Sequence, residues 1–332
     1  MKLKFLVQAL AFSGAAVAAQ AAFAQQIIVK VDGSSTVFPV TEAVAEEFQK
    51  SKKNAIKVTV GISGTGGGFK KFCRGETDIS NASRPILKAE MAECAKAGIE
   101  YIELPVAFDA LTVVINPNNS FIKQLTVAEL KKMWEPGAQK TVMKWKDVNA
   151  AWPDQPMKLF GPGADSGTFD YFTEAVVGKS KSSRGDFTAS EDDNVLVQGV
   201  SRDVNGLGYF GFAYYVENKE KLKAVPIVNE KGQAVLPSLE AVIAGSYTPL
   251  ARPIFIYVST KSLSKPEVKE FVQFYMAHGA KLSKEVKYVP LPDSAYKVSW
   301  DHVVKGKKGT VFGGTAEVGV TIEELLKREA KL

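Results

Sequence analysis

Three stretches of this sequence set hydroxyl and glycine residues where an apolar run gives way to a helical pattern. They are Gly33-Ser34-Ser35-Thr36, Ser63-Gly64-Thr65-Gly66-Gly67-Gly68 and Asp165-Ser166-Gly167-Thr168. The first N–H groups of a helix have no intrahelical partner and carry partial positive charge. Glycine lets a ligand come close to that backbone, and Ser and Thr add hydroxyl donors. One such loop alone is an ordinary helix cap. Three of them, if their helices converge, surround an oxyanion with neutral donors. The six-residue glycine loop is not a nucleotide-binding P-loop, because it lacks the Gly-Lys-Ser/Thr ending.

Ser83-Arg84-Pro85 adds a cation directly after a strand-like run. In α/β sheets that is the end where ligands bind. The forked guanidinium of Arg84 matches oxyanion geometry. Hydrolytic machinery is thin by comparison. His278 and His302 accompany no Ser or Cys in a nucleophile context. No His/Asp/Glu cluster has metal-ligand spacing, so neither metal nor cofactor is expected. Glu191-Asp192-Asp193 reads as the acidic first turn of a helix capped by Ser190.

The elements that must position these loops follow from periodicity. Residues 27–31, 56–62, 78–82, 101–106, 110–115, 158–161, 208–212 and 254–258 read as strands. Helical spacing covers 40–50, 88–97, 169–177, 237–244, 266–278 and 322–328. Thr126 and Glu129 form a capping box for a further helix. Strand, loop and helix recur in that order, which predicts an α/β protein with mostly parallel sheets.

Lys2 and Lys4, an apolar run, and Ala22-Phe23-Ala24 have the layout of a cleavable export signal over residues 1–24. No Cys follows the cleavage pattern, so the mature chain is expected free in the periplasm. No later stretch is apolar for long enough to span a membrane. Two of the +6 formal charges leave with the signal. The rest form no basic stripe, which argues against nucleic-acid binding. Cys73 and Cys94, isolated in an oxidising compartment, predict a disulfide, with two buried thiols as the alternative.

Over almost the whole mature chain the sequence resembles the periplasmic phosphate-binding proteins of ABC phosphate transporters. The resemblance is carried by Gly33-Ser34-Ser35-Thr36-Val37-Phe38-Pro39, Gly64-Thr65-Gly66-Gly67-Gly68-Phe69-Lys70, Asp78-Ile79-Ser80-Asn81-Ala82-Ser83-Arg84-Pro85, Asp165-Ser166-Gly167-Thr168-Phe169 and Gly206-Leu207-Gly208-Tyr209-Phe210. It implies a two-lobe periplasmic-binding-protein fold of type II with two hinge crossings. Lobe one is expected over residues 25–110 and 257–332 and lobe two over 111–256, with hinges near 111–115 and 254–258. It further implies dehydrated phosphate held by Ser35, Thr36, Thr65, Ser166, Gly167 and Thr168.

Two positions depart from the family pattern. Ser83 stands where the family has an Asp that accepts a hydrogen bond from protonated phosphate, and no Arg precedes the third loop near Pro162. Arg84 is the expected replacement cation and Asp165 the candidate acceptor. The implied protein is a monomer that binds inorganic phosphate and docks on the membrane permease of an ABC transporter. It is not an enzyme and does not itself insert into the membrane. The alternatives are a phosphomonoesterase on the same fold and a receptor for sulfate or another tetrahedral oxyanion.

Overall fold

The computed structural model describes residues 26–332. The expected signal over residues 1–24 lies outside the described residues. Among the described residues, nine strands form one sheet. Its order runs Ile56–Val60, Ile27–Gly33, Ile79–Ala82, Ala251–Ser259, Tyr101–Ile115, Gly206–Gly211, Lys158–Pro162 and Thr188–Ser190, with Lys223–Ala224 also paired to Tyr101–Ile115. The first three strands are mutually parallel, as are the last three. Two long antiparallel strands, Tyr101–Ile115 and Ala251–Ser259, join these parallel sets.

Tyr101–Ile115 is one strand, not the expected two, and every residue in it is buried. The strand runs through Pro105, which cannot donate to a ladder. Here Ala107 faces Ile254 and Pro105 faces Phe255, so Val106 is an extra residue in a bulge. Such a bulge admits proline without ending the strand. The strand changes partners between Ala110, which faces Ala251, and Leu111, which faces Gly211. The return crossing meets this switch at Leu250, whose carbonyl accepts from the Leu111 N–H at 2.7 Å. Residues 255–258 pair on both sides, with Ile102–Pro105 and with Ile79–Ala82. Sheet pairing therefore extends back past the expected boundary at residue 257.

Helices cover the sheet as the apolar spacing predicts. Phe38–Ser51 buries Val40, Thr41, Val44, Ala45 and Phe48, one stripe of a 3.6-residue repeat. Phe48 meets Phe271 of helix Pro266–Glu285 edge-on, with centroids 5.3 Å apart. Thr126 and Glu129 make the predicted capping box. Ser190 does not cap the helix Asp193–Arg202. Asp192 does, its Oδ1 accepting from the Asn194 N–H at 2.9 Å. Ser190 Oγ accepts from the Asp192 N–H at 3.0 Å and shapes the turn before the cap. Residues Asp293–Lys305 form a helix the periodicity did not reveal, ended by left-handed Gly306. Cys73 and Cys94 are joined, tying the end of helix Gly64–Phe72 to helix Lys88–Lys96. Among the described residues no helix is long and apolar enough to cross a membrane.

Candidate functional site

The three loops do converge. The first follows strand Ile27–Gly33. Gly33 has φ +138°, and a Cβ there would lie 2.2 Å from the Asn81 carbonyl oxygen, so only glycine fits. Ser34 then donates its N–H to that carbonyl at 3.0 Å, which anchors the turn. Ser35 and Thr36 follow, both buried, ahead of helix Phe38–Ser51. The second loop opens helix Gly64–Phe72, and Gly64, at φ +72°, packs against the Asp165 carbonyl. The third follows strand Lys158–Pro162. Ser166 caps helix Gly167–Phe172 by accepting from the Thr168 N–H at 3.1 Å.

Contacts between loops are direct. Thr36 Oγ1 and Thr168 Oγ1 are 2.8 Å apart. Thr65 Oγ1 accepts from the Ser83 N–H at 3.1 Å and lies 3.2 Å from Ser83 Oγ. A Cβ on Gly167 would fall 2.3 Å from Thr65 Oγ1 and 2.4 Å from Ser83 Oγ. Gly66 donates its N–H to the Asp165 carbonyl at 3.3 Å. Thr36, Thr65, Ser83, Ser166, Gly167 and Thr168 thus form one buried cluster where two strand-to-helix turns of one parallel set meet the third turn of the other. The orphan N–H groups of the helix starts add positive partial charge there.

The two remaining predicted residues are placed differently. Arg84 is 1% exposed, but its groups are engaged by carboxylates. Nε donates to Asp170 Oδ2 at 2.7 Å, Nη1 to Glu90 Oε2 at 2.8 Å and to the Pro85 carbonyl at 3.1 Å, and Nη2 to Glu90 Oε1 at 2.8 Å. Burial works against its charge, and the two carboxylates more than offset this, raising its pKa. Asp165 sits half-exposed with Oδ1 3.4 Å from Lys70 Nζ.

Sequence reasoning missed Arg252 and Asp109. They face each other in register on the two central strands, both 1% exposed. Arg252 Nη2 lies 2.7 Å from Thr168 Oγ1, 3.3 Å from Asp109 Oδ2 and 3.4 Å from Thr36 Oγ1, and Nη1 donates to the Gly167 carbonyl at 2.9 Å. Its Nε–H is buried without a partner among the described residues. Burial raises the Asp109 pKa, and the Arg252 charge opposes that rise. The nearby Asp193 carboxyl is pushed up to about 8, by burial first and by the Asp109 charge second. A signal was available in the sequence. Asp109 and Arg252 are opposite charges inside otherwise apolar strand runs, where an unpaired charge is untenable.

Each buried arginine is matched by carboxylates. Of the buried arginines, Arg252 is the one whose guanidinium reaches the hydroxyl cluster.

Residues 14–278 match the profile of a PBP superfamily domain, a class of two-lobe receptors to which the fold above also conforms. The chain belongs to this superfamily and, within it, to the family that includes Protein SphX and the PstS phosphate-binding proteins. It is 57% identical to Protein SphX of Synechococcus elongatus over 93% of this chain and 91% of that one. It is 42% identical to the phosphate-binding protein PstS of Staphylococcus haemolyticus over 81% of this chain and 82% of that one. Among solved structures it resembles a possible phosphate binding protein from Planctomyces limnophilus, with 50% identity, TM-score 0.63, and coverage of 84% of this chain and 98% of that one. It also resembles a putative phosphate ABC transporter substrate-binding protein with bound phosphate from Clostridium perfringens, with 25% identity, TM-score 0.67, and coverage of 80% and 100%.

Proposed function

We propose that this chain is the periplasmic receptor that binds inorganic phosphate between two lobes and delivers it to the permease of an ABC phosphate importer. The observation that carries the reading is the buried meeting of Thr36, Thr65, Ser83 and Thr168 hydroxyls beside Arg252. The named relatives point to phosphate as the anion. Lobe one comprises residues 26–110 and 251–332 and lobe two residues 111–250. The partner switch at Ala110 and Leu111 and the crossing at Leu250 serve as the hinges. An anion touching both lobes closes them because it binds the closed form better.

The ligands in this reading are the hydroxyls of Ser35, Thr36, Thr65, Ser83, Ser166 and Thr168, the N–H groups of Thr36, Gly167 and Thr168, and the Arg252 guanidinium. Arg84 and Asp165 fall outside this set, because each is committed to an opposite charge. The protein works as a monomer and without turnover. In support, His302 is packed against Glu329 at 3.4 Å and His278 against the Phe274 ring, so neither addresses a hydroxyl of the cluster. Calorimetric titration with phosphate and with sulfate tests the reading. Saturation at micromolar phosphate, with sulfate a poor competitor, is the expected result. No heat with phosphate ends the phosphate assignment, and equal binding of sulfate turns the protein into a general oxyanion receptor.

A further inference from the structure

Arg84 looks like a ligand in the sequence, yet its partners belong to a different task. It follows strand Ile79–Ala82 on one side of the cleft, whereas Asp170 lies in helix Gly167–Phe172 on the other. Both side chains are 1% exposed, and Nε meets Oδ2 at 2.7 Å. This is the one ion pair between buried side chains that crosses the cleft among the described residues. We propose that the Arg84–Asp170 pair is a closure latch that sets how long the lobes hold their anion, without touching the anion itself. The proposal rests on the two-lobe phosphate reading above.

The geometry on either side makes such a pair able to open. Glu90 grips both Nη groups of Arg84 from the same lobe, at 2.8 Å each. Glu90 is itself fixed by accepting the Leu87 N–H at 2.9 Å at the start of helix Lys88–Lys96. Arg84 is thus aimed across the cleft before the lobes meet. On the far side, Lys181 Nζ stands 3.8 Å from Asp170 Oδ1, an oxygen with no hydrogen-bond partner among the described residues. When the lobes part, Arg84 keeps Glu90 and Asp170 keeps Lys181. Neither charge is left alone in a low-dielectric place, the outcome that makes breaking a buried pair so costly. A buried cross-cleft ion pair with a fallback partner on each side behaves as a catch. A structural strut lacks those fallbacks. Beside it in the seam run the neutral contacts of Gly66 with Asp165 and of Thr36 with Thr168, the Arg252 bonds to the Gly167 carbonyl and Thr168 Oγ1, and the solvent-facing Lys70–Asp165 pair.

Because truncating a buried partner acts chiefly on dissociation, the readout is kinetic. Phosphate association and dissociation rates are measured for wild type, Asp170→Asn, Arg84→Ala and the double variant. The latch predicts dissociation about tenfold faster in each single variant, association changed less than about threefold, and a double variant no worse than either single. Asp170→Asn is isosteric and decides the matter: unchanged dissociation there overturns the latch. So does a penalty for Arg84→Ala that persists in full in the Asp170→Asn background, since Arg84 then acts on the anion directly. If Arg84→Ala does not fold, Arg84→Lys replaces it, because a lysine pairs with Glu90 but cannot span both carboxylates. Absence of phosphate binding by the wild type is a separate outcome that rejects the functional reading itself.

Discussion

Arg252 and Asp109 stand directly opposite each other on the two central antiparallel strands, with Nη2 and Oδ2 3.3 Å apart. This cross-strand pair brings a cation to the Thr36 and Thr168 hydroxyls from the middle of the sheet. Arg252→Ala removes those charge-assisted bonds and leaves Asp109 buried and unpaired. Phosphate affinity is expected to fall on the order of 100-fold, and stability by about 3 kcal/mol, as when one partner of a buried pair is deleted. Titration calorimetry and denaturant unfolding read the two effects. Arg84→Ala is expected to weaken affinity less than Arg252→Ala, and the reverse order would return Arg84 to the ligand set.

Gly167 faces two hydroxyls across the seam. A methyl group there would sit 2.3 Å from Thr65 Oγ1 and 2.4 Å from Ser83 Oγ. Gly167→Ala therefore obstructs closure while leaving each lobe's own packing in place. The rise in melting temperature that phosphate gives the wild type is expected to vanish in the variant, with little change in the melting temperature of the anion-free protein. A variant that is still stabilised by phosphate as strongly as wild type would show that the seam relaxes around the methyl group.

The Cys73–Cys94 bond closes a loop with a sequence separation of 21. A cross-link of that length stabilises by about 3 kcal/mol through the unfolded chain. Reduction, or the double change Cys73→Ala with Cys94→Ala, is expected to lower the denaturant midpoint accordingly. Phosphate affinity should hold, because both residues lie behind the second loop and outside the hydroxyl cluster. Measuring both quantities on one sample separates a staple from a site residue.

Stability should fall as pH rises. Burial pushes the Asp193 carboxyl up to about 8 and that of Glu103 up to about 7. In the unfolded chain both ionise near pH ~4. Below that value both states hold these protons and their contribution is greatest. Above it only the folded state holds them, so stability declines with rising pH until the folded groups also ionise. Denaturant midpoints between about pH 5 and about pH 8 should slope downward in the wild type, and Asp193→Asn should flatten the slope. An equally steep slope in the variant would show that Asp193 does not hold its proton in the fold.

The fold was legible where local pattern and tertiary packing agree. Helix Phe38–Ser51 and the Thr126 capping box follow from spacing and cap chemistry within a few residues. The expected strands 101–106 and 110–115 join because residues 107–109 between them pair with Ile254, Pro253 and Arg252, partners distant in the chain. The helix Asp293–Lys305 was hidden because its buried positions include Ser299 and His302, which do not read as an apolar stripe.

For the site, the sequence by itself determined the three hydroxyl-and-glycine turns, since their local chemistry, a strand end running into a helix start, is written in consecutive residues. Only the tertiary structure decided which charges lie beside those turns. Arg84 and Arg252 each precede a proline in an apolar neighbourhood, and nothing local names the partners of either. Sheet register sets Arg252 beside Asp109 and the hydroxyls, while packing across the cleft gives Arg84 to Glu90 and Asp170. The physical reason is that a buried charge is defined by its partners, and these partners are distant in the chain.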